Sequence, residues 1–452
     1  MAEIRGHGRV ALVLLCTAVF LDSMDLSLMG VALPSVRREL SLSEGTLQWL
    51  VSGYAVAYGG FLLLGGRLAD LLGRRRMFVL SLTAFAAASL AGGLFSDGTL
   101  LVATRIVKGL AAALTAPAAL SLITTTFTEQ AQRTRALGVY SLAGATGYTG
   151  GLVLSGLLTD VSWRLVFFLP VPLALLVVAL TPLVIPRGAR QADSARGFDA
   201  LGAAAVTGGV LLVVYALSER DWVAGMVAVV LLVTFVFIER QHRNPLVPLA
   251  VFRVRTVRAA NTAALAWACA TIGWQFAAVL YLQQTLHYDA LATGLGVAPM
   301  GLAIFLAANV AGKLIARWGL GRVAAVGMLV QACGILLFLR ADADSGYLTV
   351  LLPALLIHGI GNGLSFPSLN IAAVRDLPVH QQGLASGLIT SAVQIGAGVG
   401  VAVLATLLTA PGLTGYRLAF LTAGCFSVLG ALVAALGIRA TTATRQPTLT
   451  QS

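Results

Sequence analysis

The feature that most constrains this chain is a succession of apolar runs separated by short loops that carry nearly all of its charge. Fourteen runs can be marked, at about 10–33, 47–66, 77–96, 99–122, 135–158, 164–185, 198–217, 222–239, 259–283, 291–315, 321–340, 347–371, 382–409 and 416–438. Crossing a hydrocarbon core about 30 Å thick takes roughly 20 residues of α-helix. No water reaches the backbone there, so every N–H and C=O must be satisfied internally, and a run of this length has to be a helix. The expected fold is an all-α polytopic membrane protein with fourteen transmembrane helices. Only 11% of the 452 residues are charged, where a soluble domain has roughly 25%, so a water-facing globule is excluded. No loop is long enough to hold a separate soluble domain.

The net charge of +12 would fit a nucleic-acid binder if the cations shared one face. They sit instead in loops between apolar runs, which sets nucleic acid aside and points to membrane topology. With both termini in the cytoplasm, 22 of the 30 Lys and Arg fall in cytoplasmic segments, 6 in external ones, and Arg105 and Lys108 within the fourth run. An odd number of spans would put Arg253, Arg255 and Arg258, and then Lys313, Arg317 and Arg322, on the external side, so fourteen is preferred to thirteen. The expected location is a plasma membrane or cell inner membrane. The first run follows Arg5 and Arg9, continues past Leu21, contains Asp22 and Asp25 and offers no cleavage site, so it reads as a membrane helix and not a signal peptide. Cys16, Cys269, Cys333 and Cys425 lie far apart inside apolar runs, without metal-type spacing, and read as packing residues. The Thr-rich tail 439–452 reads as a disordered cytoplasmic segment.

Between the second and third runs stands GRLADLLGRRRMF, Gly66 to Phe78. Gly66 and Gly73 allow two helix ends to approach, Asp70 can sit at a helix terminus, and Arg74, Arg75 and Arg76 hold this end in the cytoplasm. A solvated topogenic loop would need only the charges. The order of residues resembles the signature G-x-L-x-D-x-x-G-R-[RK] between helices 2 and 3 of the major facilitator superfamily, matched at Gly66, Leu68, Asp70, Gly73, Arg74 and Arg75. The resemblance implies a gating loop in which Asp70, Arg74 and Arg75 latch one helix pair against another. Sliding the chain by 246 residues lays GKLIARWGLGR, Gly312 to Arg322, over GRLADLLGRRR, with Ala316 in place of Asp70. This decayed copy supports two six-helix bundles related by a parallel repeat, residues 1–185 and 259–438, joined by 186–258 with two extra helices. Fourteen spans with an inserted pair resemble the fourteen-helix drug:proton antiporter branch of that superfamily.

Of the 18 acidic residues, only Asp22 and Asp25 fall deep within a run. A carboxylate there costs several kcal/mol unless it meets a cavity, a cation or a proton. Three residues apart, the two share one helix face, and their repulsion favours a proton on one of them. DLSLMGVALP, Asp25 to Pro34, is similar to the family's helix 1 motif D-x-T-x-x-N-V-A-L-P, with Ser27 for Thr and Gly30 for Asn. RIVKGLAAA from Arg105 resembles the helix 4 motif R-x-x-Q-G-x-x-A-A, which in the family is implicated in proton coupling, with Lys108 for Gln. At about 1.5 Å per residue, Asp25 and Arg105 fall at similar depth. A network of Asp22, Asp25, Arg105 and Lys108 that neutralises all four charges is therefore expected, serving proton coupling or structural pairing. In the fifth run GYTGGLVLSG resembles the antiporter motif G-x-x-x-G-P-x-x-G-G at Gly147, Gly151 and Gly156, with Leu152 for the proline and Ser155 for a glycine. Small residues at this spacing permit close helix packing in lipid whatever the cargo. The missing proline leaves uptake open beside export.

Polar and aromatic residues inside the runs are the cavity candidates: Trp49, Tyr54, Trp274, Gln275, Tyr281, Gln283 and Gln394, then Gln48, Asn261 and Asn362. Each could equally be a packing or interface residue, and His358 reads as a packed histidine. No H-E-x-x-H, phosphate loop or G-x-S-x-G elbow occurs, so neither an enzyme nor an ATP-driven pump is indicated, and no cofactor or metal is expected. The function implied by the resemblance is proton-coupled export of apolar or cationic organic compounds by alternating access. Uptake of a metabolite, sodium in place of protons, and a non-transporting sensor or scaffold stay open. The expected partners are a small-molecule substrate, protons and the lipid bilayer, with the chain working as a monomer.

Overall fold

The computed structural model describes residues 2–127, 129–186, 199–241, 249–342 and 345–438, and every regular element among them is helical. First come α1 (Ala2–Leu40), α2 (Glu44–Leu72), α3 (Arg74–Leu94), α4 (Gly98–Thr126) and α5 (Gln130–Val161). Next, α6 (Arg164–Phe168) and α7 (Pro170–Val184) form one rod broken at Leu169, where Pro170 has no N–H to carry the ladder on. After α8 (Ala200–Glu219) and α9 (Trp222–Gln241) come α10 (Arg255–Gln284), α11 (Ala290–Trp318), α12 (Leu320–Leu337), α13 (Leu352–Arg375), α14 (Val379–Leu408) and α15 (Leu413–Gly437). Among the described residues, and with α6 and α7 taken together, eleven rods are long and apolar enough to cross a membrane, and α8 has a shorter apolar stretch, Leu201–Leu217. The most apolar part of α10 is 83% buried and that of α9 only 17%, which makes α10 central and puts α9 at the lipid-facing rim. The expected tail 439–452 and the linker stretches 187–198 and 242–248 lie outside the described residues.

Successive rods alternate in direction, so Leu72 and Gly437 share one face, here termed terminal, with the start of α1, while Leu40, Leu94 and Leu408 share the distal face. In the first set, α1 packs along α5, α2 along α4, and α3 on α4 and α7. In the second, α10 packs along α14, α11 along α13, and α12 on α13 and α15. The second list repeats the first rod for rod. The connection is repeated too: Gly73 joins α2 to α3 at φ +94° and Gly319 joins α11 to α12 at φ +83°, a backbone that glycine adopts without steric cost. These two glycines stand 246 residues apart, as the sequence repeat requires. The helix contacts repeat too, with Tyr54 and Ala57 standing 246 residues before Met300 and Ala303, and Gly109 standing 250 before Gly359. A Cβ on Gly109 would meet Tyr54 O and, at 3.0 Å, Ala57 Cβ; one on Gly359 would meet Met300 O at 2.6 Å and Ala303 Cβ at 2.9 Å.

The two sets meet along two seams. On one side α2 meets α14, where a Cβ on Gly59 would stand 2.9 Å from Gln394 Cβ. Over this seam lies α8: Thr207 Oγ1 donates to Gly60 O at 2.9 Å, and Val210 and Val214 are buried with Val56 of α2 and Ala402 of α14. On the other side α5 meets α11, and a Cβ on Gly156 would stand 2.8 Å from Ala290 O and 3.2 Å from Gly294 Cα. Toward the distal face, Met29, Leu33, Val36 and Leu47 form one buried cluster with Phe276, Leu280 and Val401 of the second set, and Gln283 Nε2 donates to Val31 O at 3.1 Å. The distal ends are therefore closed against each other. Gly156→Leu should wedge this closure apart. In a cysteine-free background, Val31→Cys should react slowly with a membrane-impermeant thiol reagent, and several-fold faster once Gly156→Leu is added; equal rates would place the closure elsewhere.

Candidate functional site

The long helix α1 carries Asp22 and Asp25 into the interior of the first set, where they are 4% and 2% exposed. On α4, Arg105 and Lys108 are also three residues apart, so both face α1 from one side of their helix. Asp25 is held at both oxygens: Oδ2 accepts from Arg105 Nη1 and Oδ1 from Lys108 Nζ. Two further donors of the cations are used nearby, while Arg105 Nη2 is buried without a hydrogen-bond partner. Arg105 Nε donates to Leu50 O at 2.8 Å and Lys108 Nζ to Ser89 Oγ at 2.9 Å, while Ser89 donates in turn to Phe167 O at 2.7 Å. Aromatic faces cover what is left: the guanidinium lies 4.7 Å from the centre of the Tyr54 ring, and the ammonium 4.7 Å from Phe85 and 5.4 Å from Phe167. Rings attract cations at such distances. Charges taken out of water recover their desolvation cost only with good pairing and additional bonds of this kind.

Asp22 is placed differently. Both of its carboxyl oxygens are buried without a hydrogen-bond partner, and Tyr54 Oη, at 3.2 Å, donates to its backbone oxygen instead. The pocket thus holds two cations, one carboxylate bonded to both, and one carboxyl that bonds to neither. With Asp22 ionised the four charges sum to zero; with Asp22 protonated one positive charge is in excess. The pocket can therefore trade a proton for another positive charge without changing its balance.

Three cavity candidates stand between the sets: Gln275 accepts from Tyr148 Oη of α5, Gln283 bonds Val31 O, and Gln394 abuts Gly59. Others turn elsewhere. Tyr54 is enclosed in the first set, Trp274 stacks on His358 inside the second at 4.1 Å between ring centroids, and Tyr281 Oη donates to Asp342 O at 2.6 Å. Trp49 faces Tyr215 of α8 at 6.4 Å. In α5, Gly147 and Gly151 lie against the backbone of α1, where a Cβ on Gly151 would be 2.8 Å from Met24 O, while Gly156 faces α11. At the terminal face Gly73 ends α2 and Arg74 opens α3; Arg75 Nη1 donates to Ile185 O at 2.9 Å, beside the last carbonyls of α7, which lack helical partners. Gly66 and Asp70 lie on α2, but their side-chain surroundings are outside the described residues. Nothing in the residue order marks Ser89, Phe85 or Phe167, because a Ser or Phe in an apolar run looks the same whether it faces a charge or a lipid tail. Tyr148 did carry a signal, a phenol inside the glycine stretch GYTGG.

A helical bundle of two repeated sets, with charges paired in its interior, is the architecture of a membrane transporter. The chain belongs to the major facilitator superfamily: the sequence profile described as Major Facilitator Superfamily matches residues 15–401 and 263–451. It is thus a multi-pass membrane protein that moves small molecules, and not an enzyme. A puromycin resistance protein of Streptomyces alboniger is 36% identical over 411 residues, covering 88% of this chain and 81% of that protein. A cephamycin export protein of Amycolatopsis lactamdurans is 35% identical over 413 residues, covering 88% and 84%. A solved bacterial homologue of the human lysosomal transporter Spinster, in its inward-facing and unoccupied conformation, shares the fold at a TM-score of 0.69 and 15% identity, over 96% of this chain and 97% of that one.

Proposed function

We propose that this transporter exports apolar or cationic organic compounds, antibiotics among them, in exchange for protons. The relatives named for puromycin resistance and cephamycin export support the direction and the cargo class. The observation that carries the coupling is Asp22, a buried carboxyl with neither oxygen bonded, next to a carboxylate already held by two cations. Ionised, it balances the pocket and can attract a cation; protonated, it leaves a positive excess that opposes one. Proton and cation then compete for a single negative charge, which is the logic of antiport.

Residues 1–185 and 259–438 are the two units that rock, with 186–258 and its two inserted helices between them, giving fourteen spans and both termini in the cytoplasm of a plasma or inner membrane. On this orientation the distal face is the outside, and the closure at Gly156, Gln283 and the apolar cluster faces outward. Asp70, Arg74 and Arg75 would latch the cytoplasmic side once the distal side opens. Shifting a population from 1:99 to 99:1 takes about 5.5 kcal/mol, which proton entry and cargo binding supply together. In energised cells the extrusion of ethidium should depend on this chain and stop when a protonophore is added. Dye held equally by expressing and empty cells would remove the export of cations.

A further inference from the structure

The second set contains a buried polar centre that the ion-pair pocket does not explain. On α13, His358 is 0% exposed and neither ring nitrogen has a partner. Its ring stacks on Trp274 of α10, whose Nε1 is unpartnered as well. About one turn away on α10, Thr271 Oγ1 accepts from Gln331 Nε2 of α12 at 2.9 Å, and Gln331 Oε1 has no partner. Four buried polar atoms on three helices thus stand without bonds. Folded proteins rarely leave such groups unsatisfied, because the desolvation cost is then unrecovered.

The repeat gives this place a meaning. Gly109 and Gly359 occupy equivalent positions against α2 and α11, so in this helix the repeat runs at 250 residues and not 246, and His358, one residue before Gly359, is the counterpart of Lys108. The 246-residue shift makes Thr271 the counterpart of Asp25 and Gln331 that of Phe85. The second set therefore keeps a polar centre where the first has its ion pair, and builds it from neutral groups. Helices α10 to α15 contain no Asp or Glu, so nothing within them balances a cation at His358.

We propose that Trp274, His358 and Gln331 form a binding site for an uncharged oxygen-bearing group, a hydroxyl or amide of the cargo or a water molecule in its place. The indole N–H and one imidazole N–H donate to that oxygen, and Gln331 Oε1 accepts a proton from the same group, while the other imidazole nitrogen points out of the opposite edge of the ring and takes a second partner, a water molecule or another polar group of the cargo. A cation finds no counter-charge here, and a purely apolar group leaves all four bonds unmade. The two sets then divide recognition, the first reading charge at Asp22 and the second reading hydrogen bonding. Gln275, the residue after Trp274, bonds Tyr148 across to the first set, so parting of the sets along that line uncovers the helix that walls the centre. The cargo arm of this assignment rests on the export function proposed above; the site itself does not.

The test uses the full chain and its His358→Leu and His358→Gln variants with two probes. Chloramphenicol is uncharged and carries two hydroxyls and an amide, whereas tetraphenylphosphonium is a cation without hydrogen-bonding groups. If cargo fills the site, His358→Leu lowers the ratio of chloramphenicol to tetraphenylphosphonium efflux by about fivefold, and His358→Gln, which keeps a donor and an acceptor, restores it. If water fills it, the ratio holds, but the thermal midpoint of purified His358→Leu falls by about 2 °C or more and His358→Gln recovers it. An unchanged ratio with a midpoint that stays level or rises would overturn the site, since an apolar side chain would then relieve atoms that bind nothing. Efflux of neither probe by the parent would count against the export function alone, and the midpoint would still decide the site.

Discussion

Asp25→Asn should abolish energised dye efflux and lower stability by about 3–5 kcal/mol, the cost of removing one partner from a buried ion pair. The amide keeps the shape of the carboxylate but loses the charge that two cations share. Arg105 and Lys108 are 1% and 0% exposed, so neither can reach water when its partner goes. The bonds to Leu50 O and Ser89 Oγ and the faces of Tyr54, Phe85 and Phe167 remain, but they compensate a cation only in part. Adding Lys108→Met to Asp25→Asn should recover some stability by removing one uncompensated charge, without restoring efflux. Unfolding of the purified variants in one detergent, followed by intrinsic fluorescence, measures the first effect. An Asp25→Asn protein as stable as its parent would mean that the carboxylate is not what holds α1 to α4.

Much of this arrangement was legible because lipid leaves a chain few choices. Helices of spanning length followed from backbone satisfaction alone, and a charge in an apolar run is conspicuous for what it costs. The meeting of Asp25 with Arg105 and Lys108 was readable because deep charges have few possible partners and helical rise fixes their depth. The repeat was readable through Gly73 and Gly319, which keep their identity since both hold the same positive-φ joint. What stayed hidden depends on how helices rotate and where they dock. Which of two acids on one face is bonded and which is left over turns on the azimuth of α4, and no spacing encodes that. The docking of α8 over the α2–α14 seam was equally invisible, because Val210 and Val214 pack as well against lipid as against protein. The amphipathic rings of Trp49, Trp274 and Tyr281 suit an interface or a packed interior alike; Trp274 and Tyr281 bond and stack within the second set, while Trp49 packs beneath α8 at the α2–α14 seam. Cys333 and Cys425, expected to be packing residues, are exposed on the bundle's surface, where lipid accepts a small apolar side chain as readily as a core does.

Asp22→Asn should behave in the opposite way, folding as stably as the parent and losing its response to protons. No hydrogen bond to the side chain is broken, because neither oxygen makes one, so the change in stability should stay within about 1 kcal/mol. The effect falls on charge. Asn at this place fixes the pocket in its protonated balance, one positive charge in excess, whatever the pH. In the parent, ethidium and a proton compete for the same carboxylate, so the apparent Kd for ethidium should rise as pH falls, by up to about tenfold per unit where the proton dominates. In Asp22→Asn the affinity should be weak and flat with pH, while in the same buffers Asp25→Asn should show a loss of folded protein instead. Fluorescence titration of ethidium against purified parent and variants, from neutral to acidic buffer, separates these cases. A slope that persists in Asp22→Asn would move the proton to another group and break the link between the unbonded carboxyl and antiport.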